Sequence, residues 1–270
     1  MDDIANEQHP EGLLDDDSQD LALLDGPPTS PPEKRTLVVV LAAGAGSRYS
    51  GDTHKLEAVV RDRTVAEHSI VAAMASGVGD VIVITGASQP DTETMRALSR
   101  ASTLDDRPVS DRPVSDRPVS DRPVSDSAMN TSVIDDNAAE TIQFIYNADW
   151  AEGQAVSLQV ALGEASRVGA DAIVVGLGDQ PGVTPEAWRR IAASQSQVAV
   201  ATYDGVRGNP VRLHHSIWHM LPTTGDEGAR SLMRLHPELV EQIPCPGSAH
   251  DIDTREDLQL WQSRSSTSSP

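Results

Sequence analysis

Apolar residues along the chain follow two different periods. Short continuous runs, LVVVLAAG from Leu37, DVIVITGA from Asp80, TIQFIYN from Thr141, ADAIVVGLGDQ from Ala170 and QVAVATYDG from Gln197, are rich in valine and isoleucine and end in turn residues. Runs of that length and composition predict five strands, and strands apolar on both faces belong inside a sheet covered on both sides. Between them, RTVAEHSIVAAMASG, PDTETMRALSRAS, VSLQVALGEAS and TPEAWRRIAAS carry apolar residues at the helical period, with Asp91 placed to cap the second. A last helix is predicted over TREDLQLWQ, starting at Asp253 or Thr254. Strands separated by helices imply right-handed crossovers. The expected fold class is therefore α/β, three layers with a mostly parallel sheet and helices on both faces. Ligands of such sheets bind outside the carboxyl ends of the strands.

Two stretches break the alternation. Residues 1–35 hold ten acids against Lys34 and Arg35, a charge of −8, and close in the proline-rich GPPTSPPEKR. Such a segment cannot bury enough apolar surface to order itself, so a disordered acidic tail is expected, with LALLDG its one apolar cluster. DRPVS then occurs four times from Asp106 to Ser125. Proline in every unit forbids helix and interior strand, and a five-residue period is too short for a stacking repeat, which needs about 20 residues or more. A flexible surface insertion over about 102–138 is the expectation, because long insertions in exposed loops cost little. One folded domain is thus expected over 36–262, followed by a disordered Ser-rich tail at 263–270.

The totals narrow the partners. Aromatic residues are only 3% of the chain, so aliphatic packing must dominate the core. A net charge of −20 argues against nucleic acid or an anionic membrane as main partner, since both require clustered lysine and arginine. Cys245 is the single cysteine, which excludes an intrachain disulfide and a cysteine-cluster metal site and predicts a small packing residue. The acidic start MDDIANEQ lacks the apolar segment of a secretory signal, and no apolar run approaches the ~20 residues of a membrane span. A cytoplasmic location follows.

Three features fall at the predicted carboxyl edge. After the first strand, small residues replace β-branched ones abruptly, so backbone N–H groups can approach an anion, with Arg48 and Lys55 just downstream. That combination suits a nucleoside triphosphate. It is neither a dinucleotide fingerprint, because Tyr49 takes the third glycine's place, nor a Walker A loop, because Lys55 sits between His54 and Leu56. Asp179 follows an apolar strand directly, as a turn or helix-capping residue or as a site carboxylate emerging at the sheet edge. Asp251 and Asp253 flank Ile252, so an extended backbone points both acids one way and the isoleucine inward. Separated carboxylates converging on one ion, with phosphate oxygens completing the shell, are how magnesium is held in phosphoryl-transfer sites. The competing reading of DIDTRED is a cap for the last helix.

Taken in order, LAAGAGSR followed by HKL, then NADWAEGQAVSL, GDQPGVTPEAW, GNPV, GDEGAR and DIDTRED resemble the MobA/MocA-type nucleotidyltransferases, most closely the molybdenum cofactor cytidylyltransferases. The resemblance spans residues 37–260 apart from the insertion. It implies a three-layer Rossmann-like nucleotidyltransferase fold and a magnesium-dependent transfer of CMP from CTP to the phosphate of a molybdopterin-type acceptor, with pyrophosphate leaving. It further implies that Leu41, Ala42, Ala43 and Gly44 line the base and ribose through backbone contacts, and that Ser47 and Arg48 hold the phosphates. Lys55 would neutralise the α-phosphate, Asp179 and Asp253 would ligate magnesium, and Arg48, Lys55 and Asp179 would form the catalytic set. Gly208, Asn209 and Pro210, with Asp226, Glu227 and Arg230, would face the acceptor, and molybdoenzyme maturation proteins are further implied partners. Ala43 favours a cytidine nucleotide, because GTP-using relatives read LAGG there, although UTP-using sugar-nucleotide enzymes share LAAG. Tyr49, His54, Gln154, Val156 and Arg255 depart from the family pattern without removing a charged group, so they bear on the acceptor more than on the chemistry. The alternatives are a same-fold enzyme using GTP or UTP with another phosphorylated acceptor, and a non-catalytic nucleotide- or cofactor-binding protein. An ionised phosphate nucleophile needs no base, which leaves His214, His215 and His219 as surface or packing residues.

Overall fold

β1 (Thr36–Ala42) carries an unbroken apolar run because it has a helix layer on either side. Leu37, Val39 and Leu41 pack against Leu158, Ala161 and Leu162 of α2 (Gln154–Arg167). Val38, Val40 and Ala42 pack against Ile70 of α1 (Val65–Met74) and Trp188 of α3 (Pro185–Ala192). Alternate side chains of one strand thus reach two cores, the signature of a strand buried on both faces.

The computed structural model describes residues 35–47, 49–50, 53–88, 131–132 and 142–266, with 131, 132 and 264–266 described by backbone alone. Residues 1–34, the helix expected over 90–102, Arg48, residues 267–270 and all of the insertion expected over about 102–138 except Thr131 and Ser132 lie outside the described residues; those two form a strand paired with Phe144 and Gln143 instead of belonging to a flexible insertion. Arg35, read as the end of the acidic tail, is already tied to the domain: its guanidinium bonds Asp80 Oδ2 at 2.8 Å and its backbone N–H donates to Asp171 Oδ2 at 2.9 Å.

The sheet has eight strands among the described residues, in the spatial order Val240–Pro244, Val198–Tyr203, Val206–His214, Ala172–Leu177, β1, Val81–Thr85, Ile142–Tyr146 and Thr131–Ser132. β4 (Val81–Thr85) and β7 (Ala172–Leu177) flank β1 in parallel, and β6 (Ile142–Tyr146) extends the sheet in parallel beyond β4. β8 (Val198–Tyr203) is the fifth expected strand. Three sheet strands were not expected: β5 (Thr131–Ser132), β9 (Val206–His214) and β10 (Val240–Pro244). β9 inserts antiparallel between β7 and β8, returning from β8 through Asp204 and Gly205, whose positive φ values of 51° and 82° suit a two-residue hairpin. Its pairing with β8 jumps from Val200↔Val211 to Ala201↔Gly208, which leaves Asn209 and Pro210 out of the ladder as a bulge.

Caps set the helix starts. Thr64 and Glu67 form a reciprocal capping box at α1, and Thr184 caps α3 ahead of Pro185. Asp179 is therefore not a helix cap. The last helix, α5 (Arg255–Ser266), is capped by Thr254, which accepts from Asp257 N at 3.1 Å, and it runs past the boundary expected at 262. Ile252, just before it, is buried with Ala58, Val60 and Val65. A short hairpin, β2 (Val59–Val60) with β3 (Arg63–Thr64), supplies that third cluster. Cys245 packs against the core on the α3 side, as a small apolar residue would. No helix among the described residues is long and apolar enough to cross a membrane.

Candidate functional site

The loops after β1, β4 and β7 meet because their strands are neighbours. Gly178 N donates to Leu41 O at 2.9 Å and Ala87 N to Ala43 O at 3.2 Å, so the glycine-rich turn is held from both sides. Gly46 takes a φ of +61°, which favours glycine. His54 braces the turn from below. Its Nδ1 accepts from Leu56 N at 3.2 Å, which leaves the proton on Nε2, and Nε2 donates to Gly44 O at 3.0 Å.

Lys55 opens a one-turn 3₁₀ helix, Lys55–Glu57, and is 9% exposed. Its Nζ donates to Asp179 Oδ2 at 2.6 Å and to Asp253 Oδ1 at 2.9 Å. Ile252 N donates to Asp179 O at 2.9 Å, so burying the isoleucine seats the acids that flank it beside the β7 end. Both readings of DIDTRED hold together: Thr254 caps α5 while Asp253 reaches Lys55. Burial acts to lower the Lys55 pKa, but the charge and hydrogen bond of Asp179 and then those of Asp253 outweigh it, and the ammonium titrates above its ordinary value. Burial pushes the Asp179 carboxyl up, with Asp251 and Asp253 adding to the push and Lys55 opposing it.

Two cavities adjoin at this point. The first, about 550 Å³, is lined by Leu41, Ala42, Ala43, Gly44 and Ser47 and by the Lys55 cluster. Among the described residues it carries four carboxylates, Asp179, Asp226, Asp251 and Asp253, against two cations, Lys55 and Arg230. The second, about 570 Å³, has an apolar floor that includes Leu158, Val200 and Leu213 and a polar rim of Arg207, Asn209, Glu227 and Arg234. Leu41, Gln154, Arg230 and Asp251 line both.

Of the acceptor-facing residues expected from the sequence, Gly208, Asn209 and Glu227 line the second cavity, Asp226 the first and Arg230 both. Pro210 is buried in β9 and lines neither. The GDEGAR segment arrives by folding over the start of α2, where Ala155 N donates to Gly225 O at 2.8 Å. Glu227 pairs with Arg234 of α4 (Arg230–Leu235) at 2.8 Å on the rim. Gln180, Asp251, Gln154 and Trp150 also line the cavities and were not among the expected site residues. Asp251 carried a signal, its alternation with Ile252; Trp150, Gln154 and Gln180 lie within motifs of the resemblance, but nothing in their residue type or spacing marked them as lining a site.

A mostly parallel sheet whose glycine-rich turn, lysine and separated carboxylates converge at one edge has the layout of a Rossmann-like nucleotidyltransferase. The sequence profile of the MobA-like NTP transferase domain matches residues 38–242, and the chain belongs to that family. Among solved structures, Rv0371c from Mycobacterium tuberculosis H37Rv is similar at 23% identity and a TM-score of 0.58, over 85% of this chain and 98% of that one. Rv0371c in complex with manganese matches at 20% identity and 0.52, over 85% and 99%. The inositol-1-phosphate CTP transferase from T. maritima matches at 13% identity and 0.53, over 88% and 98%. These likenesses establish the fold. None of the curated proteins matches the chain significantly.

Proposed function

We propose that this chain transfers CMP from CTP to the terminal phosphate of a molybdopterin-type acceptor, with magnesium, releasing pyrophosphate. The observation that carries the reading is the junction of the two cavities at Leu41, Gln154, Arg230 and Asp251, beside the Lys55, Asp179 and Asp253 cluster, so that a ligand in each would meet the other there. The family membership supports nucleotidyl transfer, the CTP transferase among the similar structures supports the nucleotide, and Ala43 agrees with it.

The residues fit a divalent cation. Asp179 Oδ1 is buried with no hydrogen-bond partner, and a cation accompanying an anionic triphosphate would offset the excess carboxylate among the described residues that line the cavity. Asp179 and Asp253 would hold magnesium, which offsets phosphate charge when bound; the manganese complex of Rv0371c is in keeping with this. Lys55 then serves the α-phosphate, while the turn from Leu41 to Ser47 and Arg48 hold the nucleotide. The acceptor's phosphate oxygen attacks the α-phosphorus as the bond to the β-phosphate oxygen breaks. Positioning and charge are all this requires of the protein. Asn209, Glu227 and Arg230 would face the acceptor. A cytoplasmic location and molybdoenzyme maturation proteins as recipients of the product complete the reading.

The test is pyrophosphate release from CTP, GTP and UTP in turn with molybdopterin and magnesium. Release from CTP alone supports the proposal. Release only with GTP or UTP, or only with a sugar phosphate acceptor, replaces it with that enzyme, and nucleotide binding without release makes the chain a binding protein.

A further inference from the structure

Gln180 directly follows the acid that meets Lys55, yet it works on the other cavity. It is 3% exposed, and its amide is fully committed. Nε2 donates to Ala249 O at 3.1 Å and to Asp251 Oδ1 at 2.7 Å, and Oε1 accepts from Asn209 Nδ2 at 3.1 Å. The direction of this chain is dictated by its ends. A backbone carbonyl and a carboxylate oxygen both accept, so the amide nitrogen must face them and the amide oxygen must face Asn209. Asn209 must then turn its own nitrogen toward Gln180. Its backbone is pinned as well, since Tyr203 OH donates to Asn209 O at 2.7 Å, and the β9 bulge takes it out of the ladder. What remains of the Asn209 side chain without a partner among the described residues is Oδ1 and the second Nδ2 hydrogen, on a residue that lines the second cavity.

We propose that Asn209 reads a hydrogen-bond donor on the acceptor, a ring lactam N–H or an amino group, through Oδ1, and that Gln180 is the positioning residue that sets this polarity. The inference rests on the second cavity being the acceptor site. An asparagine free to turn would place its oxygen or its nitrogen at either position; this one is held with Nδ2 toward Gln180, so Oδ1 keeps the other position. Its apolar surroundings, Val200, Val211 and Leu213, suit the flat body of a heterocycle beside that donor. A site built to accept from an N–H discriminates against an analogue that lacks it, because the buried oxygen is then left unpaired.

The test compares pterin with N3-methylpterin, which lacks the lactam N–H, as inhibitors of the full chain working on CTP and molybdopterin. Steady-state constants are measured beside this for Gln180→Met, Asn209→Ala and the double variant. Pterin is expected to inhibit the wild-type chain about tenfold better than its methylated analogue, and each single variant to raise the acceptor KM about tenfold with the CTP KM within about twofold of wild type. The double variant should be no worse than the poorer single one, because Gln180 acts through Asn209. Equal inhibition of the wild type by the two pterins, additive losses in the double variant, or parallel loss of CTP affinity would each overturn the inference. The wild-type comparison needs no variant to fold. A wild-type chain that neither uses molybdopterin nor responds to either pterin overturns the acceptor reading itself, which is a separate result.

Discussion

Lys55 Nζ stands 2.6 Å from Asp179 Oδ2, although 124 residues separate the two in the chain. The contact exists because the turn after β1 and the turn after β7 leave neighbouring parallel strands at the same edge. Asp179→Asn keeps the shape of the side chain and removes the charge. Turnover should fall by roughly 10²–10³-fold, as for loss of one electrostatic element of a transfer site, and the residual rate should lose its magnesium dependence. The fold should survive, since burial already disfavours this charge. Pyrophosphate release across a magnesium titration, with a circular dichroism melt alongside, checks both halves; wild-type turnover in the variant would remove Asp179 from the metal site.

How far the sequence could be read follows from the strength of each local signal. β1, β4, β6, β7 and β8 are apolar on both faces or nearly so, and helices of eight residues or more show a period. β9 was hidden because VRGNPVRLH interrupts its apolar residues with glycine, proline and a buried Arg212, whose guanidinium donates to Ser196 O at 2.6 Å. β10 is a short edge strand with Glu241 and Gln242 exposed, and α4 has six residues, too few for periodicity. In the site, the meeting of Lys55, Asp179 and Asp253 was legible from the rule that ligands bind at strand ends. Gln180 and His54 were not, because each acts through the direction of a hydrogen bond, and residue order carries no such direction.

Asp257 holds the approach to Asp253. Its Oδ2 accepts from Thr254 N at 2.8 Å, from Thr254 Oγ1 at 2.8 Å and from Asp253 N at 3.1 Å. These bonds, the Thr254 hydroxyl first among them, keep its carboxyl below the ordinary range. A depressed carboxylate contributes stability above its unfolded pKa, about 3.9, and loses that contribution as pH falls through the folded value. The melting-temperature gap between wild type and Asp257→Asn should therefore hold from neutral pH down to about 4 and close only below it. Thr254→Ala should cost about 1 kcal/mol through the lost cap and lower turnover through a loosened Asp253. A gap that closes near neutral pH would reject this account.

Gly86 lets the nucleotide turn approach β4. A Cβ there would lie 2.6 Å from Ala43 O and 2.6 Å from Trp150 Cβ, both closer than packing allows. Gly86→Ala must push the turn, or the Trp150 turn opposite it, outward. About 1–3 kcal/mol of stability should be lost in urea unfolding, and the CTP KM should rise while the acceptor KM stays near wild type. An unchanged CTP KM would mean that this wall does not shape the nucleotide cavity.

Lys55→Met separates the two roles of the lysine. Its ammonium is shared by Asp179 and Asp253, whose side chains are only 18% and 19% exposed, so its removal leaves two like charges crowded and partly desolvated. In chelator, unfolding free energy should drop by roughly 1–3 kcal/mol, less than for a fully buried pair because solvent reaches the acids. Magnesium should then restore more stability to the variant than it adds to wild type, since it no longer competes with the ammonium for the carboxylates and binds only the folded chain. Turnover should stay low even with stability restored, because the ammonium that serves the α-phosphate is gone and the metal does not replace it there. Thermal melts across a magnesium series, read against pyrophosphate release, distinguish these effects. A variant whose stability ignores magnesium would show that the two acids, once freed of the lysine, do not present themselves to a cation.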